Sequence, residues 1–179
     1  MIQDKLDSIS TKVSTLNWYA VYTKPRAEKK LREALEKKSI QSFLPLITEK
    51  KKWSDRQKLI SVPLFASYVF VKIDYLQDSL RVLQEPQAVQ FVQYNGKPAT
   101  IEEDLIELIK SFLEEYPDKV RLEQESKLRK GSIVEIKQGP FAGKKVVVEK
   151  VKNDYYIIAH LPMLNRTVIL EVRKEDLAL

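Results

Sequence analysis

The stretch Pro63-Leu64-Phe65-Ala66-Ser67-Tyr68-Val69-Phe70-Val71-Lys72-Ile73 decides the fold. It is apolar, rich in β-branched and aromatic residues, and bounded by a proline and by Asp74, which predicts one strand deep in a sheet. Side chains alternate along a strand, so Tyr68 and Phe70 share one face and Val69 and Val71 the other. The aliphatic face suits helices packed on it. The other face carries two large rings. An aromatic core explains them most simply; a partner covering part of that face is the alternative.

Working outward, Asn17-Trp18-Tyr19-Ala20-Val21-Tyr22-Thr23 reads as a second strand. Trp18, Ala20 and Tyr22 lie on one face, Tyr19 and Val21 on the other. Pro25 then suits the first turn of a helix running to Lys38. Ala27, Leu31, Ala34 and Leu35 form its apolar stripe. Arg26, Lys30 and Lys37 stack on the opposite side with Lys29 beside them, and Lys24 continues the row into the preceding loop. Pairs such as Glu33–Lys37 account for part of this charge, not for its excess.

Ile40 to Ile47 is strand-like and broken by Pro45. Lys50-Lys51-Lys52-Trp53-Ser54-Asp55-Arg56-Gln57-Lys58 reads as a hairpin tip that either grips nucleic acid or blunts an edge strand. Leu76, Leu80 and Leu83 are spaced for one face of a short helix. Val89 to Tyr94 reads as a strand, and Asn95-Gly96 marks a tight hairpin turn. Thr100 and Glu103 form a capping box for a helix to Tyr116, with Leu105, Leu108, Ile109 and Phe112 as its apolar face and Ile101 beside it. Asp118 to Leu128 is charged and resembles a linker.

After residue 128 the texture changes. Three of the four glycines fall here, at 131, 139 and 143. Runs over Ser132–Lys137, Lys144–Val151, Asp154–Leu161 and Thr167–Val172 predict a small β-barrel. The expected fold class is α+β: residues 1–16 a tail, 17–116 an antiparallel sheet with flanking helices, 117–128 a linker, and 129–179 a barrel domain.

Composition narrows the function. The 179 residues carry a net charge of +6, with twelve basic and five acidic residues between Lys24 and Lys58 alone. Such local excess marks a surface facing a polyanion. There are no cysteines, which excludes disulfides and thiolate metal sites. No apolar run reaches the roughly 18 residues that span a bilayer, and Met1 to Leu16 lacks a signal-peptide pattern. A cytoplasmic monomer without cofactor or metal is expected. The single histidine, His160, follows Ile157-Ile158-Ala159 in a strand and reads as structural; nothing in the sequence supports catalysis.

Two motifs together resemble a known family. Lys130-Gly131-Ser132-Ile133-Val134-Glu135-Ile136 followed by Gly139-Pro140-Phe141-Ala142-Gly143 looks like a KOW motif. Trp18-Tyr19-Ala20-Val21-Tyr22 with Pro63 to Val71 resembles the N-terminal (NGN) domain of NusG-type transcription elongation factors. The chain looks most like their specialised paralogues, RfaH and its UpxY-type and LoaP-type relatives. The resemblance implies a non-enzymatic elongation factor or antiterminator that docks on the β′ clamp helices of RNA polymerase and suppresses pausing. The matching docking positions are Tyr22, Phe65, Tyr68 and Phe70. It also implies contact with the non-template DNA strand through Lys24, Lys30 and Lys37, to which the basic helix face adds Arg26 and Lys29. RfaH has a His-Thr-Thr stretch touching the polymerase β subunit's gate loop and a Thr-Arg pair beside its DNA site. Here Gln77 to Leu83 and Gln84-Glu85-Pro86-Gln87 differ at both places.

In this family the barrel binds a ribosomal protein or the termination factor Rho, through a loop matching Pro162 to Thr167. Met163, Leu164 and Arg166 are the candidate contacts. A turn that tucks Leu164 into the barrel is the equal alternative. A KOW-containing RNA-binding or ribosome-associated protein is the alternative for the whole chain.

Overall fold

The computed structural model describes residues 16–52, 57–124, 132–136, 142–151 and 154–172. The expected tail (but for Leu16), Trp53 to Arg56, Gly131 and Gly139 lie outside these residues.

Among the described residues the chain runs β1 (Asn17–Thr23), α1 (Glu28–Lys37), β2 (Gln41–Phe43), β3 (Leu46–Lys52), β4 (Gln57–Pro63), β5 (Tyr68–Ile73), α2 (Tyr75–Leu83), β6 (Ala88–Phe91), β7 (Gln93–Tyr94), β8 (Lys97–Pro98), β9 (Thr100–Ile101), α3 (Glu103–Glu115), β10 (Val120–Gln124), β11 (Ser132–Glu135), β12 (Lys145–Val151), β13 (Asp154–Leu161) and β14 (Arg166–Val172). The first sheet has the order β2-β5-β1-β6, with β9 also on β1, and every pairing is antiparallel.

β1 and β5 are its two central strands, and their alternation divides the core. Tyr19, Val21, Val69, Val71 and Ile73 pack with Leu31 and Leu35 of α1 and Val82 of α2. Trp18, Ala20 and Phe70 face the other way and pack with Ile106, Ile109 and Phe112 of α3. The aliphatic face of the opening stretch therefore holds helices, as its composition predicts. Its aromatic face is largely core as well.

Helix α3 is fastened by Lys72 Nζ, 2.6 Å from a Glu103 carboxylate oxygen. That bond, and then the nearby Trp18 indole, holds the Glu103 carboxyl below its ordinary value. The buried indole N–H nevertheless meets no acceptor with hydrogen-bond geometry.

Several local expectations are corrected. The stretch from Pro63 to Ile73 is two strands' ends around a turn: Ser67 has φ 66°, and Tyr68 N–H reaches Phe65 O at 3.3 Å. α1 begins at Glu28, not Pro25, because Lys24–Ala27 closes its own turn, with Ala27 N–H to Lys24 O at 3.1 Å and Arg26 at φ 60°. That is the type II arrangement, in which proline presets the first central residue and the second needs positive φ. Thr100 caps nothing, since β9 pairs with β1 there and α3 follows Glu102 without a side-chain cap. Val120–Gln124, expected within a linker, pairs with β14 as an edge strand.

The Asn95-Gly96 turn is as expected, with both residues left-handed. So are the four predicted strands after residue 131, within a residue or two at their ends. With β10 they form a sheet of order β10-β14-β13-β12-β11. His160 lies opposite Thr167, its Nδ1 3.2 Å from the Thr167 hydroxyl, the structural role its strand setting suggests.

Candidate functional site

Two left-handed turns meet at one end of the first sheet. β1 leaves the sheet at Tyr22-Thr23, and its neighbour β5 enters at Tyr68, opposite Tyr22 in the register. The turn after β1 carries Arg26 at φ 60°, and the turn before β5 carries Ser67 at φ 66°. Neither is glycine, and each such residue costs about 1 kcal/mol or more, a strain that tends to gather where function needs a particular geometry.

Four bonds hold the pair of turns. Thr23 N–H donates to Ser67 O at 2.8 Å, Leu64 N–H to Pro45 O at 2.8 Å, and Lys24 N–H to Gln87 O at 3.0 Å. The fourth is Ser67 N–H to Glu28 Oε1 at 2.6 Å. Glu28 is 5% exposed, in the first turn of α1, where a carboxylate also complements the helix dipole. Nothing in the sequence around Glu28 points to this role.

The bonds present an aromatic pair. The Tyr22 and Tyr68 ring centroids are 5.5 Å apart and tilted. Tyr22 is 38% exposed and Tyr68 half-buried. They line a shallow cleft with Gln90, Val92 and Gln93. Phe65 and Phe70 do not share this surface. They are 1% and 0% exposed and meet edge to face at 5.3 Å, with Phe43 stacked on Phe70 from 6.2 Å. Of the four aromatic candidates, two form the surface and two lie in the core.

The cations divide similarly. Lys24, Arg26, Lys30 and Lys37 are exposed, and none forms an ion pair with a described residue. On the same helix Arg32 pairs with Glu36 at 3.2 Å, and Lys38 with Glu85. Lys29 differs from the row: its Nζ donates to Ser61 O of β4 at 2.8 Å and ties α1 to the β3–β4 hairpin. The cations without an ion pair among the described residues therefore run from the strained Arg26 turn along α1, which packs on the opposite face of the sheet from the two tyrosines.

In the second sheet, Pro162–Leu164 forms one short helical turn, closed by Asn165 at φ 51°. Leu164 is 8% exposed and packs in the core, so the tucked turn holds and an exposed Met–Leu pair does not. Met163 is partly buried, and Arg166 donates to Asn165 O at 3.1 Å.

One exposed feature runs against its periodicity. Leu76 and Leu80 of α2 are 83% and 73% exposed; Val82 and Tyr75 make the packing contacts instead. Replacing Leu76 and Leu80 together with serine is expected to change stability by no more than about 1 kcal/mol, some 0.5 kcal/mol for each exposed site, measured by urea unfolding.

Residues 16–110 match the family model for the transcription termination factor NusG, which is more than half of the chain. The chain belongs to the NusG family. Members are non-enzymatic transcription factors that work on RNA polymerase. The fold agrees: a structure of the domain interaction in Thermotoga maritima NusG is similar over 90% of this chain and 96% of that one, at 21% identity and a TM-score of 0.50. The MjSpt4:Spt5 complex aligns over 89% of this chain and 93% of that one at 21% identity, with a TM-score of 0.32. The family match falls on the α+β half, which a purely ribosome-associated KOW protein would leave without a role. Among the described residues no helix is long and apolar enough to cross a membrane.

Proposed function

We propose that this NusG-family protein is a specialised elongation factor and antiterminator, acting in the cytoplasm as a monomer. It docks on the β′ clamp helices of RNA polymerase through Tyr22 and Tyr68 and suppresses pausing and termination. The observation that carries the reading is a partly exposed tyrosine pair at the sheet end where two strained turns meet, one of which carries the exposed Lys24 and Arg26. Tyrosine suits such a surface, giving rigid apolar area with a polar edge at little entropic cost. Phe65 and Phe70 stiffen the face from beneath. Lys24, Arg26, Lys30 and Lys37 lie against the non-template DNA strand, supplying phosphate attraction. Lys29 serves this surface by holding the hairpin rather than by touching nucleic acid. In the second domain, Met163 and Arg166 form the contact for a ribosomal protein or Rho, with Leu164 as buried anchor.

The test is a binding assay between the full-length protein and the isolated clamp-helix segment. Tyr68→Ala is expected to weaken binding at least tenfold while leaving the melting temperature within a few degrees, since the Tyr22–Tyr68 cross-strand pair is worth about 0.2–1 kcal/mol. No binding by the unaltered protein, or equal binding by a folded Tyr68→Ala, overturns the docking site.

A further inference from the structure

The exposed leucines of α2 form a row that the proposed polymerase and DNA contacts leave unused. Leu76, Leu80 and Leu83 follow one another at intervals of four and three residues, and they are 83%, 73% and 38% exposed. Other residues fix the helix: Tyr75 and Val82 pack into the core, and the Asp74 carboxylate caps the first turn. The leucine row therefore has no part in seating α2 on its sheet. Single exposed leucines are ordinary, but intervals of four and three along one side of a helix mark a seam for a second helix.

The chain itself supplies a cover of matching pattern. Ile2, Leu6, Ile9, Val13 and Leu16 are spaced four, three, four and three residues apart, and every position between them is polar. The segment also joins the fold at the right place. Asn17, the first residue of β1, stands opposite Ile73, the last residue of β5, and α2 begins at Tyr75. Residues 1–16 therefore enter the sheet beside the N-terminal end of α2. A helix running back from there lies antiparallel to α2, and the two patterns coincide. Val13, Ile9 and Leu6 descend by four and three as Leu76, Leu80 and Leu83 ascend by four and three. At a rise of 1.5 Å per residue each triplet spans about 10 Å, with residues 14–16 left to turn into β1.

We infer that the N-terminal segment docks on α2 as an antiparallel amphipathic helix, setting Val13 against Leu76, Ile9 against Leu80 and Leu6 against Leu83. The segment is short and rich in serine and threonine, a poor helix by itself, so it folds as it docks. Ordering it offsets much of the gain from covering the leucines. Docking is therefore a local equilibrium and not a support of the whole fold, which is why losing Leu76 and Leu80 should cost little global stability and still release the segment. α2 packs on the aliphatic face of the sheet, away from Tyr68. The docked helix neither covers the tyrosine pair nor rests on the polymerase reading.

Trypsin reads the docking in the full-length protein, because Lys5 and Lys12 are the only basic residues of the segment. Cleavage after Lys12 is followed by mass spectrometry at low protease, where its rate tracks the undocked fraction. A segment docked about two-thirds to four-fifths of the time is cut roughly three to five times more slowly than a free one. Leu76→Ser with Leu80→Ser is expected to remove that protection while the melting temperature holds within a few degrees. Ile9→Ser, which touches no described residue, should have the same effect. Leu59→Ser, at an exposed apolar position on β4, should have none.

Cysteine pairs test the register, since the chain has no cysteine of its own. Ile9→Cys with Leu80→Cys should form a disulfide within one chain, at a rate independent of protein concentration. It should form several times faster than Ile9→Cys with Leu76→Cys, which lies one helical turn out of register and beyond disulfide reach. A loose tether would favour the second pair, whose partner is nearer the point of attachment. Equal trypsin cleavage in all the proteins overturns the inference. So do equal rates for the two cysteine pairs, or a disulfide between chains that falls away on dilution, which would put a second copy on the leucine row. The clamp-helix assay reads Tyr68 on the other face of the sheet, so failure of one proposal is distinguishable from failure of the other.

Discussion

Phe70→Ala is expected to destabilise the protein by about 3–5 kcal/mol, the usual cost of deleting a buried ring. Phe70 is 0% exposed, at the centre of β5, with Phe65 edge-on at 5.3 Å and Phe43 stacked at 6.2 Å. Both rings lose their contact with Phe70, and in a close-packed core the neighbours relax only partly into the vacated space, so the cavity term should persist. Against a typical domain stability of about 5–15 kcal/mol, such a loss lowers the melting temperature by at least roughly 12 °C, readable by circular dichroism. Phe70→Leu, which keeps most of the volume, should cost about 1.5 kcal/mol or less. If Phe70 were itself the docking surface, Phe70→Ala would leave the melting temperature in place and remove only clamp-helix binding. That outcome would return the aromatic face to the partner side and sink the core assignment.

The division between surface and core was only half legible in the sequence. Alternation correctly sends Tyr68 and Phe70 to the same side of β5, and Trp18, Ala20 and Tyr22 to one side of β1. It cannot say how far along the strand the covering helix reaches. α3 and the core around it bury Trp18, Ala20 and Phe70, while the strand ends bearing Tyr22 and Tyr68 stay open. The same limit explains α2. The spacing of Leu76, Leu80 and Leu83 predicts a helical face, and the helix forms, but periodicity carries no information about what lies against it.

The turns were hidden for a different reason. Positive φ is written in sequence as glycine, and Arg26 and Ser67 adopt it without being glycine. Pro25 therefore read as a helix start, and the opening stretch read as an unbroken strand. Val120-Arg121-Leu122 does alternate, but its charged neighbours masked an edge strand that needs only one apolar face. The cationic row was legible because 100° per residue is a strong rule over ten residues. The diversion of Lys29 was not, because its acceptor lies 32 residues away.

Long-range partners of this kind underlie the second large prediction. Glu28→Ala should destabilise the protein by about 1.5–3 kcal/mol, the worth of a hydrogen bond to a charged group together with the donor it leaves unpaired. The bond from Ser67 N–H is 2.6 Å long and charge-assisted, and it bridges the first turn of α1 to the residue before Tyr68. Ser67 sits at φ 66°, a conformation its surroundings must enforce. Without Glu28 the turn should relax and Tyr68 should lose its fixed position opposite Tyr22. Clamp-helix binding should then fall by more than the stability loss explains, measured well below the melting transition. Glu28→Gln retains an acceptor oxygen and should keep most of the binding, at a cost nearer 1 kcal/mol. Amide hydrogen exchange gives the local readout: from Glu28→Gln to Glu28→Ala, exchange at Ser67 should speed up by more than at the central amides of β1, which report only the loss of global stability. Equal exchange at Ser67 in all three proteins would show that backbone packing alone holds the turn, and would leave Glu28 a buried charge without a positioning role.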